Sequence, residues 1–380
     1  MKSIKKNSII KDKKNVRKEL YIIIISLCLI LERLNFHLII KTSTLDDMKY
    51  IELYLQFCKN DNISEKNFSE IKKFPKISII SPIYNRGEYL SRFLKSIQYQ
   101  NFNDIEIIDL IKKYQFIDKR IILIKNKQNF GTFKSRNLGI LKSTGEYSIL
   151  PDPDDILSQD CLKVFYVFAT KYNYEMLRFN LYVGRNNIFF PDCANPTPSR
   201  AVFQPELQTF LFYATKILRQ IDFNVSNKFV KREALIRALN MLSKEYLNMY
   251  MTNFEDGILN YMLYRVVKSF YFLKKIGYYY IRSPHSITIK GFTSNTIKFI
   301  FIHLNIVFEY SKNTLFEKNM FNILFKRLVI RKNIIRRIRL MKGDLKFYFT
   351  AIENFLDNEF VSINNKKYLI LFKQYLNKAI

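Results

Sequence analysis

Glycine and proline are scarce in this chain of 380 residues, which contains nine of each. Long disordered or low-complexity tracts are usually rich in such residues, so their scarcity argues against tracts of this kind. The hydrophobic fraction of 48% is sufficient for a globular core. Length and composition together predict one main domain with additional segments.

Cysteine and histidine are also scarce, and they are widely spaced. No Cys-x-x-Cys pair is present, and no histidine lies within metal-ligand spacing of another. The residues concerned are Cys28, Cys58, Cys161, Cys193, His37, His285 and His303. A zinc site is therefore not expected. The sequence also lacks a phosphate-loop motif and a Ser/His/Asp arrangement for nucleophilic catalysis.

Acidic residues are few beside basic ones, since 33 Asp and Glu against 62 Lys and Arg give a formal net charge of +29. Such a charge invites the hypothesis of a nucleic acid or a membrane surface as partner. The lysines are spread along the whole chain, and no zinc finger, helix-turn-helix or RNA-stacking signature is present. This pattern is typical of an AT-rich coding sequence, so we expect no nucleic-acid partner.

A basic N-terminus precedes an apolar run of 11 residues, 21–31. A membrane span needs about 20 residues, and the apolar character resumes after Glu32 and Arg33. We therefore predict a membrane-associated signal anchor within residues 1–40, followed by a stem at 41–74. The protein would then be a single-pass type II protein of the secretory pathway. The alternative is a helix packed on a cytoplasmic protein. A cleaved signal peptide fits less well, because no small-residue cleavage site follows.

Clustered carboxylates follow an apolar strand at residues 151–155, Pro-Asp-Pro-Asp-Asp. Hard divalent cations bind several oxygen ligands, and carboxylates this close repel one another unless they are compensated. The pattern indicates a site for a hard divalent cation, with an acidic surface turn as the alternative reading.

Strand and helix patterns alternate upstream of this turn. Apolar runs predict strands at 77–80, 105–108 and 120–125, and helices are predicted near 110–116 and 132–143. One apolar helical face follows the first strand and consists of Leu90, Phe93, Leu94 and Ile97. The alternation predicts an α/β fold, with a mainly parallel sheet flanked by helices. In such sheets ligands bind beyond the carboxyl ends of the strands, where residues 82–85 and 151–155 lie.

Four segments, 77–85, 129–139, 144–147 and 152–155, together resemble the family-two inverting glycosyltransferases of the A-type fold. The resemblance covers roughly residues 75–285, and we place a catalytic domain at 75–289. It implies a Rossmann-like nucleotide-binding fold and a nucleotide-diphospho-sugar donor that is UDP-linked. The implied acceptor is a hydroxyl group of a glycan, protein or lipid.

The resemblance also implies which residues contact the nucleotide. Pro82, Tyr84 and Asn85 correspond to the first nucleotide-contacting loop of the family. Arg136 corresponds to an arginine near the nucleotide diphosphate, and its fork of N–H groups suits phosphate oxygens. Without the resemblance, Arg136 would be interpreted as a solvated charge on a helix.

The resemblance assigns the carboxylates to two tasks. Asp152 and Asp154 match an Asp-x-Asp motif in which Asp154 is the main ligand of Mn²⁺ or Mg²⁺ bound to the diphosphate. Glu255 and Asp256 match the catalytic-base motif, with Asp256 as the base that deprotonates the acceptor hydroxyl. The alternative for this second pair is a favourable interaction with the dipole of the following helix. Lys228 lies in a segment that resembles the family segment before an acceptor-side helix, which implies that it approaches a phosphate, although a solvated lysine is the simpler expectation.

One departure from the family concerns Asp109. Family members carry an acidic run such as Val-Asp-Asp-Gly-Ser after the second strand, whose aspartate contacts the uracil of the donor. Here about ten residues are missing, and Asp109 is the remnant of the motif. Either the second strand is shortened, or the gene model lacks a segment, or donor binding is lost. The main interpretation is a metal-dependent enzyme of hexosyltransferase type, and the alternative is a catalytically inactive scaffold that binds glycans, lipid surfaces or partner proteins.

Residues 290–380 predict a helical C-terminal extension without an assigned function. Apolar residues at helical spacing, among them Leu324 and Leu328, alternate there with several lysines and arginines. Such a stripe can belong to an amphipathic helix that lies on an anionic membrane or covers the acceptor groove. More often it is part of the core.

Overall fold

A mixed β-sheet with helices on both faces organises the part of the chain that the computed structural model describes. The described residues are 75–84, 87–109, 118, 120–124, 126–185, 188–191, 201–203, 224–281, 293–310, 321–330, 334, 337, 345–357, 361 and 363–377. The strands are β1 Ile77–Ile80, β2 Ile105–Asp109, β3 Ile121–Leu123, β4 Tyr147–Ile149, β5 Ile156–Leu157, β6 Met176–Arg185, β7 Ile188–Pro191, β8 Ala201–Phe203, β9 Lys228–Lys231 and β10 Ser269–Ile281. The helices are α1 Gly87–Gln98, α2 Gly131–Lys142, α3 Cys161–Tyr172, α4 Arg232–Asn240, α5 Lys244–Leu247, α6 Glu255–Val266, α7 Ser294–Tyr310, α8 Leu345–Leu356 and α9 Ile363–Asn377, with a π-helical turn at Lys326–Ile330. The predictions for residues 1–74, for Asn85 and for a helix at 110–116 lie outside the described residues.

The sheet has the strand order β3-β2-β1-β4-β9-β6-β10-β5, with β7 beside β6 and β8 beside β10. Strands β3, β2, β1 and β4 are parallel to one another. Strand β9 is antiparallel to both β4 and β6, whereas β6 and β10 are parallel. The predicted α/β fold is confirmed, but the sheet is mixed rather than mainly parallel. The sheet becomes mixed at β9, which is antiparallel to both of its neighbours and separates the parallel strands β1–β4 from the parallel pair β6 and β10.

A buried glutamate on β2 binds both β1 and the turn that precedes β4. Glu106 on β2 is fully buried, and its Oε1 accepts hydrogen bonds from Ser78 Oγ at 2.5 Å and from the N–H of Thr144 at 2.6 Å. The hydroxyl of Thr144 donates to Glu106 Oε2 at 2.8 Å. A Cβ atom on Gly145 would lie 2.5 Å from Ser78 Oγ, so this close approach requires glycine. The turn at 144–147 therefore has a structural task, namely aligning the strand that leads to the acidic turn.

The two faces of the sheet have separate hydrophobic cores. On one face, Ile77 and Ile79 of β1 pack with the predicted apolar face of α1 and with α3. That apolar face is confirmed, since its four residues are all buried: Leu90, Phe93, Leu94 and Ile97. Burying one such side chain contributes about 1.5–3 kcal/mol. Ile80 points to the opposite core, as the period of two in a strand requires.

The core on the opposite face joins the sheet to the C-terminal helices. It contains buried residues of α4 and α6 together with residues of α7, α8 and α9. Leu324 and Leu328 are both 2% exposed and belong to this core. The stripe around them is therefore core, and the C-terminal region is largely helical, as predicted.

The helices of the described part of the chain include none that is both long enough and apolar enough to cross a membrane. The predicted anchor at residues 21–40 lies outside that part.

Candidate active site

The predicted edge of the sheet borders a cavity of about 830 Å³. Its walls come from the carboxyl ends of β1 and β4, the loop before α2, the segment before β9 and the start of α6. Among the lining residues are Pro82, Tyr84, Asp152, Asp154, Glu255 and Asp256. The size is in the range of small-molecule and cofactor sites. Two acidic segments about 100 residues apart in sequence thus face the same space.

The acidic turn after β4 is anchored through Asp155, which is fully buried. Tyr278 Oη donates to Asp155 Oδ2 at 2.6 Å, and the N–H of Ile281 donates to Asp155 Oδ1 at 2.7 Å. The N–H of Asp152 in turn donates to Tyr278 Oη at 2.9 Å. Burial, and then the carboxylates of Asp154 and Asp152, raise the pKa of Asp155 well above its ordinary value. Because Asp155 holds the turn on β10, Asp152 and Asp154 are positioned to line the cavity.

Arg136 of α2 connects the two acidic segments. Its side chain is 2% exposed, and its Nη1 donates to Asp256 Oδ1 at 2.5 Å. Its Nη2 donates to Asp152 Oδ1 at 3.0 Å, and its Nη1 lies 3.6 Å from Glu255 Oε1. Burial alone would lower the pKa of Arg136, but the carboxylates of Asp256, Asp152 and Glu255 outweigh it and raise that pKa. The interpretation of Arg136 as a solvated charge is therefore wrong, since it is a buried cation shared by three carboxylates.

The start of α6 places Glu255 and Asp256 at the cavity. Phe254 precedes them with a φ of 66°, a left-handed conformation that costs a bulky residue about 1–3 kcal/mol. Burial, and then the carboxylate of Asp256, raise the pKa of Glu255 to about 8, although Arg136 opposes the shift. Asp256 is 26% exposed and is therefore the more accessible carboxylate of the pair.

The first turn of α2 docks on the segment that leads into α6. The N–H of Phe133 donates to the carbonyl of Met251 at 3.1 Å. Gly131 has a φ of 75°, and a Cβ atom there would lie 2.8 Å from the same carbonyl oxygen. Only glycine combines this conformation with such a close approach. Gly131 therefore allows the start of α2, the helix that carries Arg136, to lie directly against the segment before α6.

The side chains that line the cavity could hold a divalent cation only together with oxygen ligands from outside the protein. Four carboxylates line it, and no lysine or arginine does so among the described residues. No three His, Cys, Asp or Glu side chains of the described chain converge as a complete metal site. Asp152 already pairs with Arg136, while the carbonyl of Asp154 accepts from Arg92 Nη2 at 2.9 Å. This donor set suits a cation of the Mg²⁺ type, which takes one or two carboxylates and completes its shell with phosphate and water oxygens.

Three other sequence predictions meet different outcomes. The strand predicted at 105–108 is present and extends to Asp109, which pairs with Leu123 of β3; only the backbone of Asp109 is described. Lys228 is not solvated but fully buried, and its ammonium donates to the carbonyl of Asn224 and to Asn227 Oδ1. Tyr84 is 67% exposed at the cavity rim.

Some residues of the site carried no predicted role. Asp155 belonged to the acidic cluster, but its anchoring function depends on Tyr278, which is 123 residues away in sequence. No local pattern signals that contact. The glycine signal at Gly131 was available, because an isolated glycine before a helix often marks a positive φ or a close approach.

Comparison with known proteins finds a family model that matches part of the chain, and solved structures of similar fold. The model of glycosyl transferase family 2 matches residues 78–237. Glycosyltransferase GlyG of Streptococcus pneumoniae serotype 4 is 28% identical over 127 residues, which are 28% of this chain and 42% of that protein. An uncharacterized glycosyltransferase of Haemophilus influenzae is 28% identical over 185 residues, 45% of this chain and 69% of that protein. The chain spans less than half the length of several curated relatives that it matches.

Among solved structures, S. aureus TarS 1-349 in complex with UDP-GlcNAc is similar, with a TM-score of 0.58 and 14% sequence identity. The superposition covers 80% of this chain and 88% of that one. This likeness confirms the predicted fold.

Proposed function

We propose that the protein transfers a sugar from a nucleotide-diphospho-sugar to an acceptor hydroxyl, because residues 78–237 match the model of glycosyl transferase family 2. The finer proposal is a UDP-linked donor, inversion at the anomeric carbon and dependence on Mn²⁺ or Mg²⁺. The main observation in its support is that the acidic turn and the acidic start of α6 line the same cavity. The UDP-GlcNAc complex of the similar TarS structure supports the donor class.

Charge supports the metal requirement. A diphosphate is anionic, whereas the charged side chains that line the cavity among the described residues are all carboxylates. The buried cation Arg136 is already paired with three of them. A divalent ion on Asp154, with Asp152 beside it, would offset this repulsion and neutralise the leaving diphosphate. We therefore propose that the donor enters together with its cation.

The chemistry that we propose is a single displacement. The acceptor oxygen forms a bond to the anomeric carbon while the bond from that carbon to the diphosphate oxygen breaks, and the nucleotide diphosphate leaves with the electron pair. Asp256 takes the hydroxyl proton as the general base. Its Oδ1 is held by Arg136, which fixes the orientation of the carboxylate toward the cavity. Pro82 and Tyr84 supply the wall at the end of β1 on which we place the nucleotide.

Two variants of the full chain test these assignments. Asp154→Asn should abolish Mn²⁺-dependent UDP binding measured by calorimetry, because the main oxygen ligand is lost. Asp256→Asn should keep UDP binding and lower transfer from UDP-sugars by about 10²–10⁴-fold, because the base is lost. Glu233→Gln is the matched control, since it removes an exposed carboxylate on α4 that does not line the cavity.

Two outcomes would contradict the assignments. Unchanged Mn²⁺-dependent binding in Asp154→Asn rejects the metal site, and substantial residual transfer in Asp256→Asn rejects the base. Absence of UDP binding and of transfer in the folded wild-type protein would favour the inactive scaffold, for which the short connection after Asp109 is the main argument.

A further inference from the structure

The turn that precedes β9, residues 224–227, borders the candidate active site next to the acidic turn. Asn224 and Ser226 both line the cavity. Strand β9 is antiparallel to β4, with Phe229 opposite Ile149, so the residues before β9 run alongside the residues after β4. The turn before β9 and the acidic turn therefore lie side by side at one edge of the sheet.

A buried lysine holds this turn from inside the protein. Lys228 begins β9 and is fully buried, and its ammonium donates to the carbonyl of Asn224 and to Asn227 Oδ1. A buried ammonium has to donate its hydrogens to oxygens of the protein, because water is excluded. Strand β6 holds the turn from the side, since the N–H of Phe179 donates to the carbonyl of Asn227 at 3.1 Å and Asn227 Nδ2 donates to the carbonyl of Phe179 at 3.3 Å. The backbone at Asn224 is thus tied to a buried cation.

The side chain of Asn224 has a defined orientation. The N–H of Ser226 donates to Asn224 Oδ1 at 2.8 Å, and the hydroxyl of Ser226 donates to the same oxygen. A backbone N–H can only donate, so the amide oxygen of Asn224 must face Ser226 and the amide nitrogen must face away from it. Asn224 is partly exposed, and its Nδ2 has no acceptor among the residues that the structure describes. Two N–H donors are therefore available to a molecule in the cavity.

The strand order indicates which part of the proposed donor these N–H groups meet. The order β1-β4-β9 places the proposed nucleotide wall, the proposed cation site and the Asn224 turn one after another along the edge of the sheet. A nucleoside on the β1 wall and a diphosphate on the cation would bring the attached sugar to the Asn224 turn. Oxygens of a sugar accept hydrogen bonds, and ionised carboxylates, which line most of this edge, cannot donate them. A neutral donor at this position supplies what those carboxylates lack.

We propose that Asn224 is a specificity-determining residue whose Nδ2 donates a hydrogen bond to an oxygen of the transferred sugar. Lys228 is the positioning residue that holds Asn224 in place. This inference rests on the proposed function and deepens it. Because the bond involves only the sugar, its loss should weaken the binding of a UDP-sugar and leave the binding of UDP unchanged.

Calorimetry of the full chain with Mn²⁺ tests the proposal. The two ligands are UDP and the UDP-sugar that the wild type binds most tightly among UDP-glucose, UDP-galactose and UDP-N-acetylglucosamine. Asn224→Ala should weaken the binding of the UDP-sugar by about 3-fold to 10-fold, the effect of one neutral hydrogen bond, with UDP affinity unchanged. Asn248→Ala is the matched control, because Asn248 Nδ2 donates to the carbonyl of Lys244 at 2.8 Å and Asn248 does not line the cavity.

A lysine variant tests the positioning role. Lys228→Met keeps an unbranched side chain and removes the ammonium, so the Asn224 backbone loses its support. The affinity for the UDP-sugar should fall relative to that for UDP, by no more than in Asn224→Ala. Lys231→Met is the matched control, because Lys231 is a 26% exposed lysine at the other end of β9. A loss of folded protein lowers both apparent affinities together, so the ratio of the two isolates the effect on the sugar.

The possible outcomes separate this inference from the proposed function. An unchanged ratio of affinities in Asn224→Ala overturns the inference, while the proposed function stands. A lower ratio in Asn224→Ala with an unchanged ratio in Lys228→Met rejects the role of the lysine. A folded wild-type protein that binds neither UDP nor any of the three UDP-sugars contradicts the proposed function, and the inference falls with it.

Discussion

The acidic turn after β4 and the acidic start of α6 line the same cavity, but different chemistry holds them. Asp155 anchors the first through neutral donors, the hydroxyl of Tyr278 and the N–H of Ile281. The second depends on a cation, since Glu255 and Asp256 both lie against Arg136. Neutral donors hold Asp155, and only Asp152 of the first segment is paired with Arg136. The second segment is sensitive to any change in the charges around it.

Arg136 links the two segments, although it belongs to a different element, helix α2. It is the one described side chain with ion pairs to both acidic segments, through Asp152 on one side and Asp256 on the other. Four carboxylates around one cavity would repel one another without it. The arginine therefore makes the acidic cavity compatible with a folded protein.

Replacing Arg136 with methionine should have the largest effect, because it removes the cation that pairs with both acidic segments. The change leaves three carboxylates without their shared cation, so we expect a loss of about 3–5 kcal/mol in the free energy of unfolding. Transfer should fall by at least about 10²-fold in the molecules that remain folded, because Asp256 loses its orientation. Urea denaturation and initial-rate assays measure the two effects.

The control is Arg237→Met, which removes an ion pair with Glu175 at 2.7 Å outside the cavity. It should reduce stability by a smaller amount, because that guanidinium is 34% exposed, and it should keep transfer activity. Equal activity losses in the two variants would contradict a special role for Arg136.

The same two segments show what the sequence could predict. The strand before the acidic turn, the apolar face of α1 and the acidic pair at the start of α6 follow from local periodicity and spacing, and each is found where it was expected. These patterns depend on residues within about ten positions of one another. The fold could therefore be predicted as far as β4 from the alternation of strands and helices.

Contacts between distant residues could not be predicted in this way. The direction of β9, the burial of Lys228 and the bond from Tyr278 to Asp155 all depend on which segments meet in three dimensions. A lysine in a short strand is expected to be solvated, and only the surrounding packing shows that Lys228 is enclosed. The same holds for Arg136, whose partner Asp256 lies 120 residues further along the chain.

Replacing Tyr278 with phenylalanine tests the neutral anchor. The variant loses the bond to Asp155 Oδ2 and the bond from the N–H of Asp152, so we expect a loss of about 2–3 kcal/mol in stability. Because Asp152 and Asp154 become less fixed, Mn²⁺-dependent UDP binding should weaken by about tenfold. Calorimetry of the full chain measures the affinity.

Tyr147→Phe is the matched control, since Tyr147 is a buried tyrosine whose hydroxyl donates to the carbonyl of Tyr174 at 3.0 Å, outside the cavity. It should lose stability without losing UDP affinity. If both variants bind UDP equally well, the Tyr278 hydroxyl does not position the acidic turn.

The charge sensitivity of the second segment should appear as a smaller, pH-dependent effect. The pKa of Glu255 is raised to about 8, so the folded protein keeps a proton that the unfolded chain releases near pH 4.5. Stability that is present below this ordinary pKa is therefore lost as the pH rises toward 8. Glu255→Gln should abolish this dependence, so between pH 5.5 and 8.5 the free energy of unfolding should fall more steeply in the wild type than in the variant. Glu233→Gln, an exposed change of the same charge, should retain the wild-type slope. If stability depends on pH equally in the wild type and in Glu255→Gln, Glu255 is ionised in the folded protein throughout this range. Arg136 then compensates the carboxylates of both Glu255 and Asp256.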